Sequence, residues 1–294
     1  MCHLTEKINR NNIFFLVNTD DSDNTIFKNR NIIFTNNKNE QSNFESLIES
    51  KKIKYIVLDM LHYKDKYIAN LKNKFNKTII SFHEYEDYSS YSDLSFNCNM
   101  FDWKNYKHIK NLHQGEKYII FNDKIEAFKN QKKKDYIFVN FGGSDPSNFT
   151  LKFIKLIIKN LPDQKFIIHL SSFYFFNLSK DKLPKNIKIN TDGDLIFKLL
   201  SNSKLAILAA GNMMYESIYL KTPTFVLAHN KHQENFARYM EKKKLIQFFG
   251  TGKNMNFKKL LLSIKYFKDQ ILDENNLFID NNGKKRILNV IRRI

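Results

Sequence analysis

Cysteine is scarce in this chain: Cys2 and Cys98 are the two among 294 residues. Two unpatterned thiols support neither a disulfide framework nor a zinc site. Long apolar runs are missing as well. Nowhere do about 18 consecutive apolar residues occur, the length that a membrane-crossing helix needs. The opening MCHLTEKINRNN has no apolar core of signal-peptide length. A soluble, cytoplasmic protein is the expectation. The chain also shows no internal repeat, no low-complexity linker, no basic arm and none of the aromatic-basic motifs of nucleic-acid binders. Nucleic acid is therefore not an expected partner.

What is abundant is positive charge. Lys and Arg number 48 against 30 Asp and Glu, a formal net charge of +18. The lysines are spread along the whole length, in ESKKIKY, NQKKKDY, MEKKKLI and NGKKRIL. Lys, Asn, Ile and Phe are plentiful together, as an AT-rich genome tends to encode. The same excess suits an anionic substrate or a peripheral contact with an acidic membrane surface. Hydrophobic residues at 42% and aromatics at 14% are enough for proper cores and exclude a disordered chain. A length of 294 residues exceeds the usual domain of roughly 100–200, so two domains are expected.

Short β-type runs alternate with segments of helical period. NIFFLVN (12–18), NIIFT (31–35), KYIVLD (54–59), KTIISF (77–82) and DLSFN (93–97) read as strands, with helices at 42–51 and 64–76. The pattern resumes with DYIFVNF from 135, a helix at 148–160, KFIIHL, a helical stretch, NIKIN, a helix near 193–202, KLAILAA, a helix from 212, TFVLAH and a helix from about 233. Such alternation predicts an α/β protein with two doubly wound parallel sheets. The charged segment NDKIEAFKNQKKK (122–134) separates a first domain, 1–128, from a second, 129–294. The basic final stretch, NNGKKRILNVIRRI, has the spacing of a closing helix packed on the body.

The segment VNFGGSDPSNFTLKFIKLI (139–157) places two glycines where a strand hands over to a helix. Gly142 and Gly143 allow backbone conformations closed to other residues and let a ligand approach the main chain. Asp145, Ser147 or Asn148 can cap the helix, and Pro146 suits its first position. Exposed N–H groups at the positive end of the helix then form an anion site. A second arrangement of this kind lies downstream, where Ala209, Ala210 and Gly211 precede a helix carrying Glu216. Backbone N–H groups there would hold phosphates, and Glu216 would accept from two ribose hydroxyls.

The order FGGSDPSNFTLK, then LLSNSKLAILAAGNMMYESIYLKTPTFVLAHNKHQENFA, resembles the C-terminal half of the UDP-2,4-diacetamido-2,4,6-trideoxy-β-L-altropyranose hydrolases of pseudaminic acid synthesis. More distantly it is similar to the N-acetylglucosaminyltransferase that makes lipid II. The resemblance implies a GT-B fold, two Rossmann-like domains facing a cleft that holds a UDP-sugar, and release of UDP by water attack at the anomeric carbon. It implies a diphosphate-side loop at Gly142, Gly143, Ser144 and Asp145, nucleotide contacts at Gly211, Asn212 and Glu216, and polar contacts from Gln233 and Asn235. It implies no cofactor and no metal, and we expect a monomer.

Departures from the family pattern cluster in the first domain. The family's opening strand and Gly-x-Gly-His-x-x-Arg loop, whose histidine activates water, have no counterpart in MCHLTEKINRNNIFFLV, which reads as the end of a first helix and a second strand. A true start farther upstream is the expectation. No residue stands out as the base, and His3, Asp59 and His62 are the candidates. The family's Asp-His-Tyr appears as DMLHY, its Asp-Asp pair as His83-Glu84, and its substrate-contacting arginine as Asn122. His83, Glu84 and Asp87 read as a polar wall, Trp103 and Tyr106 as surface packing, and His229 and His232 as loop residues. Two readings compete with the hydrolase: a GT-B glycosyltransferase of surface polysaccharide synthesis, and an inactive nucleotide-sugar binder.

Overall fold

The computed structural model describes residues 13–18, 31–35, 38–59, 64–83, 88–98, 109, 111–178, 183–267 and 279–294. They fall into two compact units: the first takes the described residues up to 98, with 109, 111–120 and 282–294, and the second takes 121–178, 183–267 and 279–281. His3, His62, Glu84, Asp87, Trp103 and Tyr106 lie outside the described residues.

In the first unit, β1 (Phe14–Asn18) and β2 (Asn31–Thr35) pair in parallel. A second parallel sheet runs in the order β3 (Tyr55–Asp59), β4 (Thr78–Phe82), β5 (Leu94–Asn97) and β6 (Leu112–Gln114). Helices α1 (Glu40–Ser50) and α2 (Asp65–Phe75) follow the period read from the sequence. Consecutive residues of β4 point to opposite faces, as a pleated strand requires. Ile79 joins Ile48, Ile56, Ile68 and Leu71 on one side, while Ile80 and Phe82 join Phe96, Tyr118, Ile287 and Leu288 on the other. Among the described residues, β1 and β3 each keep one edge without a strand partner. Cys98 is a free thiol pushed up to about 12 by burial and by the charge of Asp59, a packing residue and not a nucleophile.

The second unit contains one six-stranded sheet, all parallel. Its strands are β7 (Lys134–Asn140), β8 (Phe166–His169), β9 (Ile187–Asn190), β10 (Ser203–Ala209), β11 (Thr224–Ala228) and β12 (Gln247–Thr251), in spatial order β12-β11-β10-β7-β8-β9. The connecting helices are α3 (Phe149–Asn160), α4 (Ile196–Asn202), α5 (Asn212–Tyr219), α6 (Lys231–Lys242) and α7 (Phe257–Lys265). The segment after β8, read from sequence as helical, forms no helix over 171–178 or 183–186. Four aromatic residues in succession, Phe173 to Phe176, leave it without a single apolar stripe to bury. The last helix, α8 (Gly283–Ile291), belongs to the first unit and packs on the turn Glu116–Tyr118. Among the described residues no helix is long and apolar enough to cross a membrane.

From β7 the chain winds outward through β8 and β9, then returns to β10 on the other side of β7. The strand order therefore reverses between β7 and β10. Ligands in open parallel sheets bind in the crevice outside the carboxyl ends of the strands at such a reversal.

Candidate functional site

Both small-residue turns stand at that reversal. Leu208 pairs with Asn140, so β7 and β10 end side by side and release Phe141-Gly142-Gly143 and Ala210-Gly211 at one level. Gly142 has φ +89°, in the left-handed region, and a Cβ there would meet nothing within 4 Å. Conformation, and not crowding, requires this glycine, and open space lies over it. Its N–H donates to Asn140 Oδ1 at 3.0 Å, and Asn140 Nδ2 donates to the His169 carbonyl at 3.1 Å. The buried Asn140 thus ties the turn to the end of β8. Gly143 would meet Ser171 Oγ and the Phe173 ring at ordinary contact distances of 3.7 and 4.0 Å.

Asp145 sits beneath this turn, 1% exposed. Its two carboxylate oxygens accept from the N–H groups of Phe149 and Thr150, each at 2.8 Å. The residue therefore caps α3, and Pro146 lies in the turn that precedes the helix. Of the three caps that the sequence offered, Asp145 takes the role, and a phosphate at this helix end would share the donors of Phe149 and Thr150 with its carboxylate. Helix α5 differs. No side chain caps its first turn, and Gly211 ahead of it leaves open space where a Cβ would stand. The first N–H groups of a helix have no partner within it. Met214 N–H is taken by the Gly211 carbonyl at 3.0 Å, so the N–H groups of Asn212 and Met213 stand at the reversal point with capacity for an anion.

Glu216 follows on α5. Burial raises its carboxyl to about 7, and no ion pair or side-chain hydrogen bond among the described residues offsets that. A carboxylate in this state gains from any ligand that brings it donors. Across β10, His229 at the end of β11 reaches the end of β7: its Nε2–H donates to the Phe141 carbonyl at 2.8 Å, and its ring stacks on Phe149 at 4.5 Å and 10°. A carbonyl can only accept, which fixes the proton on Nε2. Burial lowers the pKa of His229, and its Nδ1 is enclosed without a partner among the described residues.

Gln233 is committed first to its own loop. Its Oε1 accepts from His229 N–H at 2.8 Å while Asn230 Oδ1 accepts from its backbone N–H at 3.0 Å, capping α6. Ser144 and Asn235 are exposed. Glu234 is held down to about 2 by Arg238 and Thr251, which marks it as a strut between α6 and β12. Gly142, Gly143, Ser144, Gly211, Asn212 and Gln233 thus stand on loops or first turns at the carboxyl ends of β7, β10 and β11, and Glu216 lies in the second turn of α5. His229 and Asn140 complete this layer. His229 lies in the loop directly after β11, where the sequence reading put it; its contact with the end of β7 is what that reading did not name.

In the first unit, Asp59 is exposed at the carboxyl end of β3. His83 is buried after β4, with Nε2 at 2.7 Å from Ser81 Oγ, which also meets Ser92 and Ser95. Asn122, at the family's arginine position, accepts from Lys124 N–H and caps a short 3-10 turn. Among the described residues no group of three His, Cys, Asp or Glu side chains is placed to hold a metal ion.

No family model matches the chain. It is 33% identical over 122 residues to UDP-2,4-diacetamido-2,4,6-trideoxy-beta-L-altropyranose hydrolase of Campylobacter jejuni, a match covering 40% of this chain and 43% of that protein. Less than half of that relative's length is therefore represented. Among solved structures, MurG of Acinetobacter baumannii superposes with a TM-score of 0.64 at 11% identity, covering 100% of this chain and 95% of that one. UDP-GlcNAc 2-epimerase of Methanocaldococcus jannaschii, solved with UDP-GlcNAc and UDP, gives 0.56 at 15% identity, covering 90% and 84%. The fold is GT-B-like, with two Rossmann-like α/β units.

Proposed function

We propose that the second unit binds a UDP-sugar at the β7–β10 reversal, and that the protein hydrolyses it in the biosynthesis of a nonulosonic, pseudaminic-type surface sugar. The observation that carries the binding part is the uncapped α5 N-terminus between Gly211 and Glu216, set beside the open Gly142 turn. The diphosphate accepts from the first N–H groups of α5, where the helix dipole favours negative charge. The ribose hydroxyls donate to Glu216, supplying partners to its half-buried carboxyl. The match to a hydrolase acting on a UDP-linked sugar supports the reaction class.

In that reaction a water oxygen bonds to the anomeric carbon as the carbon–oxygen bond to the β-phosphate breaks. The electron pair leaves with UDP, and the water proton passes to a base. Developing charge on the departing diphosphate is met by dipoles already in place at α5 and the glycine turn. The base stays unassigned: His62 and His3 lie outside the described residues, and Asp59 is the described candidate. A GT-B-like fold equally suits transfer to an acceptor hydroxyl in surface polysaccharide synthesis. Assaying UDP release from UDP-sugars in labelled water separates the two. Hydrolysis places the label on the sugar without added acceptor, whereas UDP release that depends on an acceptor and leaves the sugar unlabelled refutes hydrolysis in favour of transfer.

A further inference from the structure

The loop after β8 is built against the glycine turn. Ser171 Oγ donates to the Gly143 carbonyl at 2.7 Å and accepts from the Phe173 N–H at 3.0 Å. One hydroxyl therefore holds Phe173 in register with the turn. The next residue, Tyr174, packs on the core cluster of this unit, which anchors the loop from below. Phe173 itself is 52% exposed, and its ring makes no ring contact among the described residues. A phenyl ring held in water beside an open turn loses apolar burial that the adjacent tyrosine obtains.

We propose that Phe173 is the stacking face for the nucleobase of the ligand, a residue that sets affinity for the nucleoside and leaves the diphosphate untouched. This rests on the UDP-sugar reading above. The Gly142 turn and the α5 N-terminus leave β7 and β10, and the Phe173 ring stands beside Gly143, 4.0 Å from where a Cβ on that glycine would lie, on the side of β8. Neighbouring strands lie about 4.8 Å apart, so a ring flanking the β7 turn on its β8 side is separated from the α5 end by between one and two spacings, roughly 5–10 Å. That suits a ligand whose diphosphate and planar base sit at opposite ends. Every base offers a π-face, and an exposed aromatic ring is the partner such faces select. The clamp through Asn140 to the His169 carbonyl keeps the ends of β7 and β8 together, so the ring and turn cannot drift apart.

The test is calorimetric titration of the full chain with UDP and, separately, with inorganic pyrophosphate. Phe173→Ala is expected to weaken UDP about tenfold, the usual effect of removing one base–aromatic stack, while pyrophosphate affinity is unchanged. Phe173→Trp should bind UDP as well as the original or better. Unchanged UDP affinity in Phe173→Ala overturns the proposal, and so does an equal loss for UDP and pyrophosphate, which would mean that the turn had moved. Gly142→Ala distinguishes the two levels. If it weakens UDP while Phe173→Ala does not, the UDP site stands and the stacking role falls. If the unaltered chain binds no UDP, both fall. Phe173 is exposed, so its replacement leaves the core intact.

Discussion

At the residue scale, the two glycines of the turn have different reasons to be there. Gly142 at φ +89° would be strained by any side chain, whereas Gly143 has no such backbone demand and only ordinary contacts. Gly142→Ala is expected to lose about 1–2 kcal/mol of stability and most nucleotide affinity; Gly143→Ala is expected to change both little. Thermal melts and titrations on the pair check this. Glu216 supplies a pH signature. Its carboxyl, raised to about 7 by burial, must be ionised to accept ribose hydroxyls, so ligand binding favours proton release. UDP affinity should fall about tenfold from about pH 8 to pH 6, and Glu216→Gln should flatten that dependence along with weakening binding. His229 acts in the same sense on stability. Its folded pKa is lowered, so the protonated form is disfavoured in the native state, and stability is lost as pH falls below its ordinary value of about 6.5.

At the element scale, α3 and α8 each depend on one identifiable contact. Asp145 satisfies two first-turn N–H groups of α3 from a buried position. Asp145→Ala is expected to destabilise the protein by about 2 kcal/mol, since the donors are left buried and unpaired. Gly283 opens α8 where a Cβ would stand 1.9 Å from the Ile119 carbonyl oxygen. Gly283→Ala should therefore loosen the seating of Ile287 and Leu288 by about 3 kcal/mol, read as a lower denaturant midpoint. The strands were legible because β-type runs such as NIIFT and YIVLD are short and bounded by polar residues. Helix α8 was legible as a helix but not as a part of the first unit, because amphipathic spacing names a buried face without naming its partner. The role of Asp145 was half legible: Asp-Pro after two glycines announces a cap, but whether a carboxylate faces in or out depends on the depth of the turn.

At the scale of the whole molecule, the charge of +18 favours encounter with an anionic ligand. UDP association should slow as salt is raised from about 0.05 M to about 0.5 M, where screening shortens the reach of that field; stopped-flow binding measures it. That the sheets are parallel could be read from strand–helix alternation alone, though their number among the described residues, three, could not. The crevice could not, because spatial strand order comes from crossovers that no single segment encodes. It was the reversal between β7 and β10 that gathered the glycine turn, α5 and His229 into one layer. Phe173 was hidden for the same reason, since only the hydrogen bonds of Ser171 place it beside Gly143. The central claim is that this layer is a nucleotide-sugar site. Its most direct test is a calorimetric titration of UDP into the full chain and into Gly142→Ala. Binding of one UDP per chain, lost or strongly weakened in the variant, is the predicted result; no binding to the unaltered chain, or equal binding to both, would contradict it.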